Sequence, residues 1–141
     1  SVNWAVQYPV PGMDGLILAV GASETGYADD TKDSEDSMAV NYSMGPISVG
    51  YQLSNTHPKN GTTAQEIEAM GVAFNVNDQL SVSFSKNDNQ QAGVTEESTG
   101  LPAAYSMGSA SVRVAYIEVD NQGGNTGLTG DNTEISLSLA F

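Results

Sequence analysis

The sequence predicts an all-β chain, and three observations carry that reading. Apolar and small polar residues alternate over segments of seven to twelve residues, turn-forming residues separate the segments, and the charge pairs that support exposed helices are scarce. There are 15 glycines but only 4 Lys plus Arg in 141 residues, poor material for amphipathic helices and ordinary for many short strands.

Nine segments follow in order. Residues 2–8 set Val2, Trp4, Val6 and Tyr8 against Asn3, Ala5 and Gln7. Residues 15–26 hold the longest apolar stretch, Leu16 to Val20, which is strand-sized. In 36–44, Met38, Val40, Tyr42 and Met44 alternate with Ser37, Ala39, Asn41 and Ser43. In 47–55, Ile47, Val49, Tyr51 and Leu53 alternate with Ser48, Gly50, Gln52 and Ser54. Residues 65–76 and 79–88 continue the series, the latter with Leu80, Val82 and Phe84 against Ser81, Ser83 and Ser85. Segments 101–107 and 110–120 precede the last, 131–141, where Ile135, Leu137, Leu139 and Phe141 share one face and Ser136, Ser138 and Ala140 the other. Each predicted strand has one greasy face and one small polar face.

The links alternate as well. Gly45-Pro46, Asn77-Asp78 and Gly108-Ser109 are tight-turn chemistry, whereas 27–35, 56–64, 89–100 and 121–130 read as long polar loops. Short and long links therefore fall at opposite ends, with Phe141 at the short-turn end. The run Asn41–Tyr51 is echoed at Ala104–Val114, with Phe74–Phe84 between them, so the repeating unit is a hairpin of about thirty residues with its loop.

A formal charge of −13 without a basic cluster argues against nucleic acid. The absence of cysteine removes disulfide frameworks and thiolate metal sites. No segment has the eighteen or so apolar residues of a spanning helix, so any membrane role belongs to a barrel. A soluble β-sandwich also alternates, but three features count against it. The polar faces carry Ser, Gly, Ala, Asn and Gln rather than the Lys, Glu and Arg of a solvated surface. Tyr42, Phe74, Tyr105 and Phe141 each lie within three residues of a short turn or the terminus, where a membrane-interface girdle sits. Ten tilted residues span roughly 25 Å, the height of an outer-membrane apolar band. Nine strands do not close under the even-number rule, so further strands are expected, and the start at Ser1 without Met reads as a processed or truncated end.

The ending Ile135-Ser-Leu-Ser-Leu-Ala-Phe141 resembles the C-terminal signature of bacterial outer-membrane proteins, with a terminal Phe and alternate apolar residues before it. The Tyr-Ser-Met-Gly turns and Gly-rich acidic loops resemble general diffusion porins of the α-proteobacterial type. The resemblance implies that residues 1–141 are the C-terminal part of one 16-stranded antiparallel transmembrane β-barrel, a homotrimer in the outer membrane of a Gram-negative bacterium. It implies that Ile135, Leu137, Leu139 and Phe141 are a signal to the barrel-assembly machinery. The lipid bilayer and lipopolysaccharide are then the surroundings, and passive diffusion of small hydrophilic solutes and ions the function. The family's constriction loop belongs to the N-terminal half.

On that reading Asn41, Ser48, Gln52, Ser81, Ser83, Arg113, Ser136 and Ser138 line the pore. Arg113 attracts anions from the wall or pairs with a neighbouring acid, two roles that are compatible. Glu66, Glu68 and Glu118 share the outward phase and rise above the hydrocarbon unless a bulge turns them inward. The acidic run Asp29, Asp30, Asp33, Glu35 and Asp36 offers oxygen ligands to loosely shared divalent cations, but it lacks the glycine and ligand spacing of a calcium loop. No resident cofactor or specific metal site is expected. His57 is the single histidine, and no nucleophile elbow or phosphate loop occurs, so the chain is not read as an enzyme. Asn60-Gly-Thr62 fits a glycosylation sequon of little weight in a bacterial protein. A structural or adhesive barrel with partner-binding loops is the competing hypothesis. Net ion selectivity stays open, since acidic loops favour cations and a basic wall favours anions.

Overall fold

The computed structural model describes residues 1–27, 32–59 and 63–139. These form nine strands in one sheet: β1 (Val2–Pro9), β2 (Leu16–Gly26), β3 (Lys32–Met44), β4 (Ile47–His57), β5 (Gln65–Asn75), β6 (Leu80–Gln91), β7 (Val94–Met107), β8 (Ala110–Asp120) and β9 (Gly130–Leu139). Every strand pairs antiparallel with its sequence neighbour, and the order is β1 to β9 without a crossover. The sheet is not closed, because β1 and β9 each pair on one side only. A short 3-10 turn, Gln122–Gly124, precedes β9. Among the described residues no helix is long and apolar enough to cross a membrane.

The register keeps the two faces apart along the whole meander. Val20 lies opposite Met38, Met38 opposite Leu53, Tyr51 opposite Met70, Val72 opposite Phe84, and Val114 opposite Ile135. On the other face Ala39 faces Gln52, Ser48 faces Ala73, Ser85 faces Gly100 and Arg113 faces Ser136. With side-chain period two, one such register assigns every strand residue to a face. Among the described residues no hydrophobic side chain is buried, and the chain exposes 9555 Å². A compact protein of 14.7 kDa would expose roughly 6,900 Å². The sheet is thus a single layer whose apolar side has no protein partner: Trp4 is 53% exposed and Leu137 64%.

Turn chemistry sets the short-link end. Gly45 and Gly108 adopt φ of 56° and 55° in their two-residue turns. The β5–β6 link is four residues, 76–79, rather than the two expected, because Asn77 Oδ1 accepts bonds from the backbone N–H of Gln79 and Leu80, both at 2.9 Å. Gly15 has φ of 85° and its carbonyl accepts from the backbone N–H of Ser43 at 2.9 Å, and a Cβ there would stand 2.0 Å from Ser43 O. Only glycine lets the β1–β2 turn lie this close to the end of β3.

The long-link end departs from expectation. Residues 89–100 are not a loop: β6 runs on to Gln91 and β7 starts at Val94, closed by Ala92 and Gly93 at φ of 54° and 79°. Two consecutive positive φ values give the mirror-image turn whose twist suits a hairpin. Likewise β3 begins at Lys32 and not at residue 36. The β6–β7 ladder skips the pairs at Ser83 and Phe84, where Pro102 has no N–H to offer.

Candidate functional site: the small polar face

Asn41, Ser48, Gln52, Ser81, Ser83, Arg113, Ser136 and Ser138 all fall on one face, the small polar one. Four of them line a depression of about 410 Å³ across β3 to β6: Asn41, Ser48, Gln52 and Ser83, over a floor that includes Gly50 and Gly71. Ser81 lines a second with Ala104 and Ser106. Arg113, Ser136 and Ser138 stand apart on β8 and β9. Depressions open on this face also over β1 to β3, so it is the concave side of the sheet.

Hydrogen bonds lie flat along this wall. Ser43 and Ser48 share one at 3.0 Å, Gln52 Nε2 donates to Ser54 Oγ at 3.1 Å, and Gln65 Nε2 donates to Asn89 Oδ1 at 2.7 Å. Where side chains lean over the backbone the floor is glycine. A Cβ on Gly50 would meet Asn41 Oδ1 at 2.8 Å, and one on Gly100 would meet Ser85 Oγ at 2.8 Å. Between its charged ends the surface is made mostly of small polar side chains that partly satisfy one another.

Charge is sorted by register. No bulge turns Glu66, Glu68 or Glu118 inward: they stand opposite Gln90, Asp88 and Asp131 on the apolar-face phase, beyond the apolar side chains. Lys86 is on that face too, with Asp88 Oδ2 at 3.1 Å and Glu97 Oε2 at 3.4 Å. Four carboxylates that the sequence did not single out as inward fall on the small polar face: Asp33, Glu35, Glu96 and Glu134. Their facing depends on the pairing register, which no local motif announces. Arg113 faces Ala104 and Ser136, and Glu134 sits one step along β9, opposite Ala115. Among the described residues no carboxylate lies within 4.0 Å of Arg113.

The acidic run does not converge. Asp33 and Glu35 lie on one face and Asp36 on the other, where it accepts from Asn55 Nδ2 at 3.0 Å. Asp29, Asp30 and the Asn60-Gly-Thr62 sequon lie outside the described residues. Among the described residues no group of three potential ligands is placed to hold a metal.

Two clasps order the long-link end. Asp33 accepts from Tyr27 Oη at 2.6 Å and from the backbone N–H of Lys59 at 2.5 Å, while Lys59 Nζ lies 3.7 Å from the centroid of the Tyr27 ring. These bonds, the tyrosine's foremost, hold the Asp33 carboxyl below its ordinary value. Asn121 Nδ2 donates to Thr95 O at 2.9 Å and Gly123 N to Glu96 at 2.5 Å, tying the β8–β9 link to the projecting β7. Tyr42, Phe74 and Tyr105 share the apolar face near the short turns, with Ile135, Leu137 and Leu139; Phe141 lies outside the described residues.

An uncrossed antiparallel meander, apolar on its outer face and lined with small polar residues on its concave one, defines the class: the wall of a membrane β-barrel, the structure that pairs every backbone group across lipid. Within that class the chain belongs to the Gram-negative porin family, whose family model matches residues 2–141. It is thus a porin-type channel protein of the Gram-negative outer membrane. Neither a curated protein nor a solved structure matches it.

Proposed function

We propose that residues 1–141 form the C-terminal part of a single barrel domain that passes small hydrophilic solutes and ions down their gradients without catalysis. One observation carries this reading: all nine strands present a face of mostly small polar residues to the same side and leave the opposite, largely apolar face uncovered. Such a wall sieves by width and binds little. The unpaired outer edges of β1 and β9 are in keeping with closure by further strands, as in a 16-stranded barrel, because an open edge in lipid leaves backbone groups unsatisfied.

Family membership supports a homotrimer, surroundings of lipid and lipopolysaccharide, and delivery by the barrel-assembly machinery through Ile135, Leu137, Leu139 and Phe141. Tyr42, Phe74 and Tyr105 then anchor the periplasmic interface.

Single-channel recording on the natively extracted protein tests the proposal. Stable conductance steps in a planar bilayer are the expected result. Insertion without conductance would contradict it and favour a plugged barrel whose long loops bind a partner.

A further inference from the structure

The pairing register settles what composition left open, namely which charges face the water-filled side. Among the described strand residues the small polar face carries four carboxylates, Asp33, Glu35, Glu96 and Glu134, and one guanidinium, Arg113. The remaining strand lysines, Lys32 and Lys86, belong to the outer face, where Lys32 pairs with Glu24 at 2.8 Å. Glu35 lines a depression with Ser23, Ser37 and Ser54 and has only a long bond from Ser23 Oγ, at 3.4 Å. Glu134 stands one ladder step from Arg113. At that spacing Glu134 offsets Arg113, so the charge that the described strand residues place on this face stays negative.

From this sorting we infer that the wall prefers cations, with Glu35 and Glu134 as specificity-determining residues, Arg113 opposing them, and the outward acids Glu66, Glu68 and Glu118 taking no part. The inference rests on the channel reading and adds to it a sign and the residues responsible. A wall of one net sign bounded by low dielectric raises the local concentration of the opposite ion. A unit charge about 8 Å from a permeating ion changes its occupancy about two-fold in water, less as salt shortens the screening length.

The test is the reversal potential of the full-length extracted channel in a potassium chloride gradient, for wild type, Glu35→Gln, Glu134→Gln, Arg113→Gln and the outward control Glu118→Gln. Each inward acid variant is expected to lower the potassium-to-chloride permeability ratio by up to about four-fold, about two-fold through each ion. Arg113→Gln should raise it, Glu118→Gln should leave it unchanged, and all effects should grow in dilute salt. An unchanged ratio in both inward variants, or an equal change in Glu118→Gln, would overturn the inference and leave the channel standing. Absence of conductance in every protein would overturn the channel reading and this inference with it.

Discussion

Asp33 shows how single residues shape the outer end of this sheet. Its carboxylate joins the β2–β3 and β4–β5 links by accepting from Tyr27 and from the backbone of Lys59. Because these bonds favour the charged form, its folded pKa lies below the ordinary carboxylate value of about 3.9. The sign follows by linkage: the clasp contributes fully above the unfolded value and is lost as pH falls through the lowered one. The amide proton shift of Lys59, followed by NMR in micelles, should titrate with a midpoint below about 3.9 and lose that titration in Asp33→Asn. A midpoint at or above the ordinary value would show that the clasp does not form. Nothing in the sequence around Asp33 foretold this bond, since its partners lie 6 and 26 positions away and meet only once the strands are paired.

At the scale of the strand, the alternation has energetic content that a matched pair of substitutions exposes. Val114 on β8 points to the apolar face between Ala103 and Ile135, and Ser111 on the same strand points to the polar face between Ser106 and Ser138. Lysine at a lipid-facing midplane position costs about 2–4 kcal/mol, whereas a wall substitution away from special features usually stays within about 0.5 kcal/mol. Reversible unfolding of the channel in lipid should therefore show Val114→Lys losing several-fold more stability than Ser111→Lys. Equal losses would mean that the apolar face does not meet lipid.

The same alternation explains what was legible. The strands β4, β6 and β9 alternate cleanly where they cross the apolar band, so their existence and faces could be read directly. Residues 32–37 of β3 and 95–99 of β7 are polar on both faces, as a strand rising into water can be, and there the period-two signal vanishes. For this reason 89–100 reads as a loop although it pairs as a hairpin closed by Ala92 and Gly93. The common face of Asn41, Ser48, Gln52, Ser81, Ser83, Arg113, Ser136 and Ser138 was legible because these residues sit within the alternating stretches. Glu35 and Glu96 were not, because they fall in 27–35 and 89–100, which read as loops, whereas Glu134 shares the phase of Ser136 and Ser138.

At the scale of the whole molecule one division dominates: an apolar face toward lipid and a small polar face that we propose lines a water-filled path. That division explains why a chain with apolar strands has no buried core among its described residues, and why small residues gather where a solvated surface would carry charge. It also explains why the outer acids and the inner acids are expected to act differently. Residues 1–141 contain no cysteine, so a single cysteine placed on either face of this sheet meets no native thiol within it. The most direct measurement is the change in single-channel current when a charged, water-soluble thiol reagent is added to Ser48→Cys, Val49→Cys, Ser83→Cys and Phe84→Cys channels. Ser48→Cys and Ser83→Cys should respond with a stepwise change in current, and Val49→Cys and Phe84→Cys should not. Modification at the Val49 and Phe84 positions, or silence at all four, would contradict the assignment of the small polar face to the pore.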